Sequence, residues 1–181
     1  SQYFRQPSIY IKLPSNGEFY PPGALNMPVN GELPVLPMTA IDEITYRTPD
    51  ALYNGSATVN VIQSCCPNIK DGWNIPTVDL DTILISIRIA SYGNEMSFTA
   101  RCPKCNEDHD YALPLNAILD SIGRPDYSQP VFANELKVKL RPQSYNSLNR
   151  RNMIEFEEQR ILQAINDPNL DDGQRKQFFD D

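Results

Sequence analysis

Proline placement constrains this chain more than any other feature: eight of its sixteen prolines fall within the first fifty residues. Each fixes φ and removes a backbone donor. Between Leu13 and Pro37 the text reads LPSNGEFYPPGALNMPVNGELPVLP, with turn chemistry at Asn16-Gly17, Pro22-Gly23 and Asn30-Gly31. This composition predicts extended pieces joined by turns, an N-terminal arm over residues 1–38. The short apolar run Ile9-Tyr10-Ile11 predicts one strand. An arm with few internal hydrogen bonds gains order by lying against something. Two supports are open to it, its own domain as a surface wrap or a partner that it clasps.

From Thr39 the pattern becomes helical. Thr39 is placed to cap a helix to Arg47, with Asp42 and Glu43 in the favourable first turns. Pro49-Asp50-Ala51-Leu52 opens a second short helix that Gly55 should end, and Ser56 can cap a third that runs to Cys65-Cys66 before Pro67. The firmest helix spans about Val78 to Tyr92. Leu80, Ile83, Leu84, Ile87 and Ser91 lie on one face, Ile85 and Ile89 add apolar surface elsewhere, and Gly93 closes it. Its interior cation, Arg88, calls for a carboxylate or carbonyl partner. A β-hairpin follows, from Met96 to Arg101 and back over Asp110 to Leu113, completing a unit over residues 39–122 with a short helix capped by Asn116.

Residues 123–181 read as a strand and a helix. Glu135 to Leu140 alternates so that Leu136, Val138 and Leu140 point inward. A helix from about Ser144 to Asn166 carries Leu148, Ile154, Ile161 and Ile165 against Glu155, Glu157, Glu158 and Arg160, and Pro168 stops it. Leu170 to Asp181 has the character of a helix cut short, which suggests a longer gene product. The fold class is therefore α+β: a mainly helical centre, a small hairpin and a proline-rich arm.

At 181 residues, 40% hydrophobic and 22% charged, the chain fits one ordinary domain and can bury a core without disulfides. No run approaches the roughly 18 apolar residues of a membrane span. Ser1 to Ile11 is too polar for a signal peptide. A net charge of −7 and a pI near 4.7 repel nucleic acid unless a basic patch intervenes. The densest candidates, Lys137, Lys139 and Arg141, alternate along the expected strand and form a solvated face.

The chemistry sits in four cysteines and one histidine. Cys102-Pro103-Lys104-Cys105 between two strands is a knuckle that presents two thiolates to one metal ion, and Asn106 suits the positive φ that often follows. Zinc in a structural site takes four ligands. A second Cys-x-x-Cys is missing, so the other candidates are Cys65, Cys66 and His109. The competing readings are a metal-free knuckle whose cysteines act as small apolar groups and a thiol redox site, though no helix N-terminus follows to lower a thiol pKa. Catalysis has little to work with: one histidine, a few residues from Cys102 and Cys105, and no phosphate-cradling glycine loop. The expectation is no enzyme.

Three stretches resemble T4-like baseplate proteins of contractile-tailed phages. They are Leu33-Pro-Val-Leu-Pro-Met-Thr-Ala-Ile-Asp-Glu-Ile-Thr-Tyr-Arg-Thr-Pro-Asp-Ala-Leu-Tyr-Asn-Gly55, Val61-Ile-Gln-Ser-Cys-Cys-Pro67, and Asp79-Leu-Asp-Thr-Ile-Leu-Ile-Ser-Ile-Arg-Ile-Ala-Ser-Tyr-Gly93. The Cys102/Cys105 knuckle comes next, and the likeness covers residues 33–122. It implies a myovirus baseplate hub component or hub-assembly factor, made in the host cytoplasm and placed in the tail. Its partners would be other tail proteins, with no small-molecule substrate, nucleic acid or membrane. The alternative is a zinc-ribbon adaptor for nucleic acid or for a replication or transcription protein, which would show binding to DNA or RNA that weakens steeply with salt.

Overall fold

The computed structural model describes residues 5–49 and 53–166, which form an α+β structure of helices and three two-stranded antiparallel sheets. Residues 50–52 of the short helix expected from Pro49 to Gly55, the tail from Leu170 and the first four residues lie outside the described residues.

The proline-rich segment is built into the body. Strand β1 (Ile9–Ile11) pairs antiparallel with β2 (Leu33–Val35), Ile9 opposite Val35 and Ile11 opposite Leu33. Pro34 sits opposite Tyr10 on this short pair, where a missing donor costs little. Between the strands the chain turns at Asn16, Gly17, Gly23 and Gly31, all at positive φ. Leu13, Leu33 and Val35 are fully buried in the same cluster as Ile62, Ile69, Ile75 and Ile83. Of the two supports open to this segment, it has its own domain, and its apolar residues are core rather than surface wrap.

Helix α1 (Ala40–Tyr46) starts at Thr39 with a reciprocal capping box. Thr39 Oγ1 accepts from the Asp42 N–H at 3.2 Å, while Asp42 accepts from the Thr39 N–H at 2.8 Å. Such a cap contributes about 1 kcal/mol. Asp42 also accepts from Ser64 Oγ (3.0 Å) and pairs with Arg5 (3.3 Å), tying the leading segment to α1 and α2 (Ser56–Cys65). Gly55, at φ +78°, is itself the N-cap of α2, which corrects the assignment of Ser56 to that role. A Cβ on Gly55 would lie 2.6 Å from Asn149 Oδ1, so the residue is needed for close approach as well as for its φ.

A single 3-10 turn at Gly72–Asn74 leads into α3 (Thr77–Tyr92), which Gly93 ends at φ +87°. Leu80, Ile83, Ile87 and Ile89 are buried, as the periodicity predicts. Asp79, in the first turn, does more than complement the helix dipole. It is fully buried and accepts from the Ser15 N–H (2.8 Å), Ser15 Oγ (2.5 Å) and Tyr20 Oη (3.0 Å), which pins the segment before β2 to α3. Burial pushes the Asp79 carboxyl up, against the opposing pull of those donors. Arg88 has no ion pair among the described residues. Its Nη1 is buried with no hydrogen-bond partner among the described residues, and its guanidinium lies 4.6 Å from the centroid of the Tyr92 ring, a cation–π contact instead.

Hairpin β3 (Glu95–Arg101) and β4 (Asp108–Pro114) follows, then α4 (Leu115–Ser121). Pro114, not Asn116, occupies the N-cap of α4, and the Asn116 N–H donates to Asn94 Oδ1 at 2.7 Å. Strands β5 (Val131–Ala133) and β6 (Leu136–Val138) make a third small hairpin. Leu136, Val138 and Leu140 are all exposed, Leu136 at 70%, so the expected inward face is absent. Helix α5 (Tyr145–Asn166) is anchored at its start, where Tyr145 is buried, stacks on Trp73 at 5.8 Å and donates its N–H to Ile75 O. Farther along, Ile154, Leu162 and Ile165 are exposed and Ile161 is half-buried, so the amphipathic face is only partly covered.

Candidate metal centre

The tip of the β3–β4 hairpin gathers Cys102, Cys105 and His109, whose Sγ and imidazole nitrogen atoms all lie within 4.8 Å of one another. The local backbone explains the placement. The Cys102 N–H donates to Glu107 O and the Asn106 N–H donates to Cys102 O, each at 2.8 Å, which closes a tight knuckle. Asn106 takes φ +61°, the left-handed conformation the sequence calls for after the second cysteine. Arg101 Nε donates to Asn106 O at 3.0 Å and braces the turn from the strand. His109 sits opposite Ala100 in β4, and its Nε2 is 3.2 Å from Cys105 Sγ.

This donor set could bind a metal ion. Bond lengths of about 2.3 Å to sulfur and about 2.0 Å to imidazole nitrogen in a tetrahedron place ligand atoms roughly 3.5–3.8 Å apart. The Cys105–His109 pair, at 3.2 Å, is close to that spacing, and all three ligand atoms lie within 4.8 Å of one another. The knuckle also favours the thiolate that a metal needs. The Cys105 backbone N–H, then that of Lys104, then the Cys105 thiol, hold the Cys102 thiol below its ordinary pKa.

Cys65 and Cys66 are not part of this group. They end α2 inside the core, fully buried. Burial, with Asp42 nearby, pushes the Cys65 thiol up to about 11, and burial beside Cys65 pushes Cys66 up to about 12. Both remain neutral thiols at pH 7 and serve as small apolar packing groups. The candidate ligands Cys65 and Cys66 thus fall away from the knuckle, while His109 joins it. Adjacency in sequence made the pair look like a second knuckle half, but a helix C-terminus buried on its inner side offers no route to a hairpin tip.

One pairing was invisible in the unaligned sequence. Phe98 and Tyr111 stand opposite each other on β3 and β4, stacked with centroids 5.5 Å apart and exposed. Strand alternation puts them on the same face as His109, directly below the tip. The opposite face is polar, with Thr99 Oγ1 donating to Asp110 at 2.6 Å. Only the cross-strand register reveals this asymmetry.

The protein is a small α+β body carrying an exposed hairpin whose tip groups two cysteines and the histidine. The chain belongs to the family of T4 bacteriophage base plate proteins, whose model matches residues 35–169. It is therefore a structural component of a phage baseplate, in the virion tail. No curated protein and no solved structure matches it. No helix among the described residues is long and apolar enough to cross a membrane.

Proposed function

We propose that this protein acts in the hub region of a contractile (myovirus) tail baseplate, as a hub component or assembly factor that works by binding other tail proteins. The supporting observation is the apolar surface left open after Gly123. Val131, Phe132, Leu136 and Val138 on the β5–β6 hairpin, and Ile154, Leu162 and Ile165 on α5, are all exposed. Large apolar residues so concentrated are characteristic of surfaces that become buried in an assembly. The partners are protein, not nucleic acid or membrane, in keeping with the charge of −7. Assembly takes place in the host cytoplasm, and no substrate is turned over.

In this reading Cys102, Cys105 and His109 hold a structural Zn²⁺ that stiffens the hairpin tip. The donors are two sulfurs and one nitrogen, a common zinc set. When bound, the ion supplies cross-linking of the knuckle to β4 and no chemistry beyond that.

The test is genetic and structural. A phage with an amber mutation in this gene should yield particles whose tails lack a complete baseplate, and the chain supplied in trans should restore them. Cryo-electron microscopy of particles carrying a tagged copy, or of tail intermediates, should put the density at the tail axis. Normal contractile particles from the amber phage would refute the structural role, and density confined to the baseplate periphery would refute the hub position.

A further inference from the structure

We infer that Cys102 and Cys105 form a reversible dithiol–disulfide pair, open in a reducing compartment and closed in an oxidising one. The bond itself does not depend on the metal reading of the tip; its effect on His109 does. Both cysteines are free thiols. They sit three residues apart on the turn that the Asn106 N–H closes by donating to Cys102 O at 2.8 Å. Tight turns hold the α-carbons of such residues within about 7 Å, and disulfides bridge roughly 4.4–6.8 Å. The two Sγ atoms lie within 4.8 Å of each other, so side-chain rotation brings them to bonding distance without a change in strand pairing.

Access separates this pair from the other two thiols. Cys105 is exposed and Cys102 half-buried, whereas Cys65 and Cys66 are sealed in the core, out of reach of a dissolved oxidant. The oxidant is a low-molecular-weight disulfide. The Cys105 thiolate attacks one of its sulfurs and expels the other as a thiolate, which leaves a mixed disulfide on Cys105. The Cys102 sulfur then attacks Cys105 Sγ, the internal bond forms, and the second small thiolate departs. Two protein thiols lose two electrons and two protons, and one external disulfide becomes two thiols. An excess of external thiol runs the same steps backwards. Exposed disulfides are the labile, regulatory kind, and closing a loop of only four residues adds less stability than closing a long one.

Closing the bond changes what the tip is tied to. A metal held by Cys102, Cys105 and His109 links the turn to β4. The disulfide links the turn only to itself. Both sulfurs are used in it, so neither remains as a ligand, and His109 has no partner left with which to hold an ion at the tip. The tip is therefore stiffened toward β4 in the reduced state and loosened in the oxidised one. Thiols stay reduced in a cytoplasm, and disulfides persist outside the cell. With assembly in the host cytoplasm, as proposed above, the pair is open while the baseplate is built and closes after the virion leaves.

Equilibrating the full reduced chain with mixtures of reduced and oxidised glutathione tests this, with peptide mapping to locate the bonds. Excess oxidised glutathione should give one internal disulfide, Cys102–Cys105, with Cys65 and Cys66 unmodified, and excess reduced glutathione should reopen it. Cys102→Ser should instead accumulate a mixed disulfide on Cys105, and no such adduct would overturn the order of attack. A wild-type chain that stays reduced, stops at the mixed disulfide, or forms an internal bond that does not reopen overturns the inference. Co²⁺ added to the reduced chain reports on the metal reading separately. A thiolate-to-metal charge-transfer band should appear before oxidation and vanish as the disulfide forms, while hydrogen exchange in β4 around His109 rises several-fold. Unchanged exchange as the band vanishes overturns the loosening of the tip. A disulfide in a chain that shows no such band, or whose band survives complete oxidation, upholds the pair and removes the metal reading together with the effect on His109.

Discussion

Ile83 on α3 and Ile154 on α5 are the same side chain in the same kind of element, yet Ile83 is fully buried and Ile154 is 58% exposed. The contrast extends to the regions around them. From residue 5 to Tyr92, strands β1 and β2, helices α2 and α3 and the proline-rich turns share one cluster, crossed by polar ties from Asp42 and Asp79. From Glu95 onward, among the described residues, Leu115 and Tyr145 are the buried large apolar side chains. The first region closes its own core. The second consists of two hairpins and a long helix that is anchored to the body near its start, through Tyr145 and Leu148, and leaves most of its large apolar groups in solvent. A lone two-stranded hairpin is marginal in water, so the trailing elements need burial that the leading body does not provide.

The sharpest way to break this contrast is to truncate one side chain in each region. Ile83→Ala should lower the unfolding free energy of the isolated chain by roughly 2–5 kcal/mol, the usual cost of a large-to-small change in a packed core. Urea denaturation followed by circular dichroism gives the value. A loss below about 1 kcal/mol would mean that the leading body is not the cooperative unit described here.

Next in size is the polar clasp at the start of α3. Asp79→Ala leaves the Ser15 N–H, the Ser15 hydroxyl and the Tyr20 hydroxyl buried without their acceptor, at a cost of about 1–3 kcal/mol. The segment from Leu13 to Leu25 should loosen first. Hydrogen exchange should therefore show faster labelling there than in α2 (Ser56–Cys65), and uniform labelling across both would contradict the clasp.

The contrast between the regions was partly readable from sequence. Period and capping found α1, α2, α3 and α5 to within a residue or two, because Thr39, Gly93 and the Leu80/Ile83/Ile87 stripe carry local signals. The tight turn after Cys102 was equally local, and Asn106 took the positive φ that its position suggested. What failed was everything set by distant contacts. Proline content hid the fact that Leu13, Leu33 and Val35 are core, since burial of an extended segment depends on what packs over it. Alternation at Leu136, Val138 and Leu140 indicated an inward face, but alternation reports only that one face is apolar and does not say what covers it. Cys65 and Cys66 looked like ligands because pairing in sequence is visible and burial at a helix end is not.

Acid sharpens the comparison at smaller amplitude. Burial alone would push the Asp42 carboxyl up, but hydrogen bonds from Thr39 and Ser64 and the charge of Arg5 outweigh it and hold the carboxyl below its ordinary range. A carboxyl with a depressed folded-state pKa contributes stability above its unfolded value of about 3.9, and loses it as pH falls through the folded value. Asp79 has the opposite sign. Its raised pKa favours the protonated group in the fold, so its contribution is complete below the unfolded value and falls away as pH rises through the folded one. Asp42→Asn should thus flatten the drop in stability below about pH 4, by about 1 kcal/mol at most for a cap whose ion-pair partner, Arg5, is partly exposed. Melting temperatures from pH 7 to pH 3 measure this, and an unchanged slope would show that Asp42 is not held ionised by these partners.

The smallest effect on folding belongs to the trailing surface, and there the two regions should separate most clearly. Leu136→Ser and Phe132→Ser remove apolar groups that are already 70% and 67% exposed, so each should alter the unfolding free energy of the isolated chain by no more than about 0.5 kcal/mol. If the exposed hairpin is a docking surface, the same changes should sharply reduce incorporation into baseplates, measured as the fraction of the chain that co-sediments with tails in a complementation assay. Stability and assembly would then be governed by different halves of one short polypeptide. Incorporation of both variants at the normal level, with stability unchanged, would show that the open apolar face after Gly123 is not where this protein meets its neighbours.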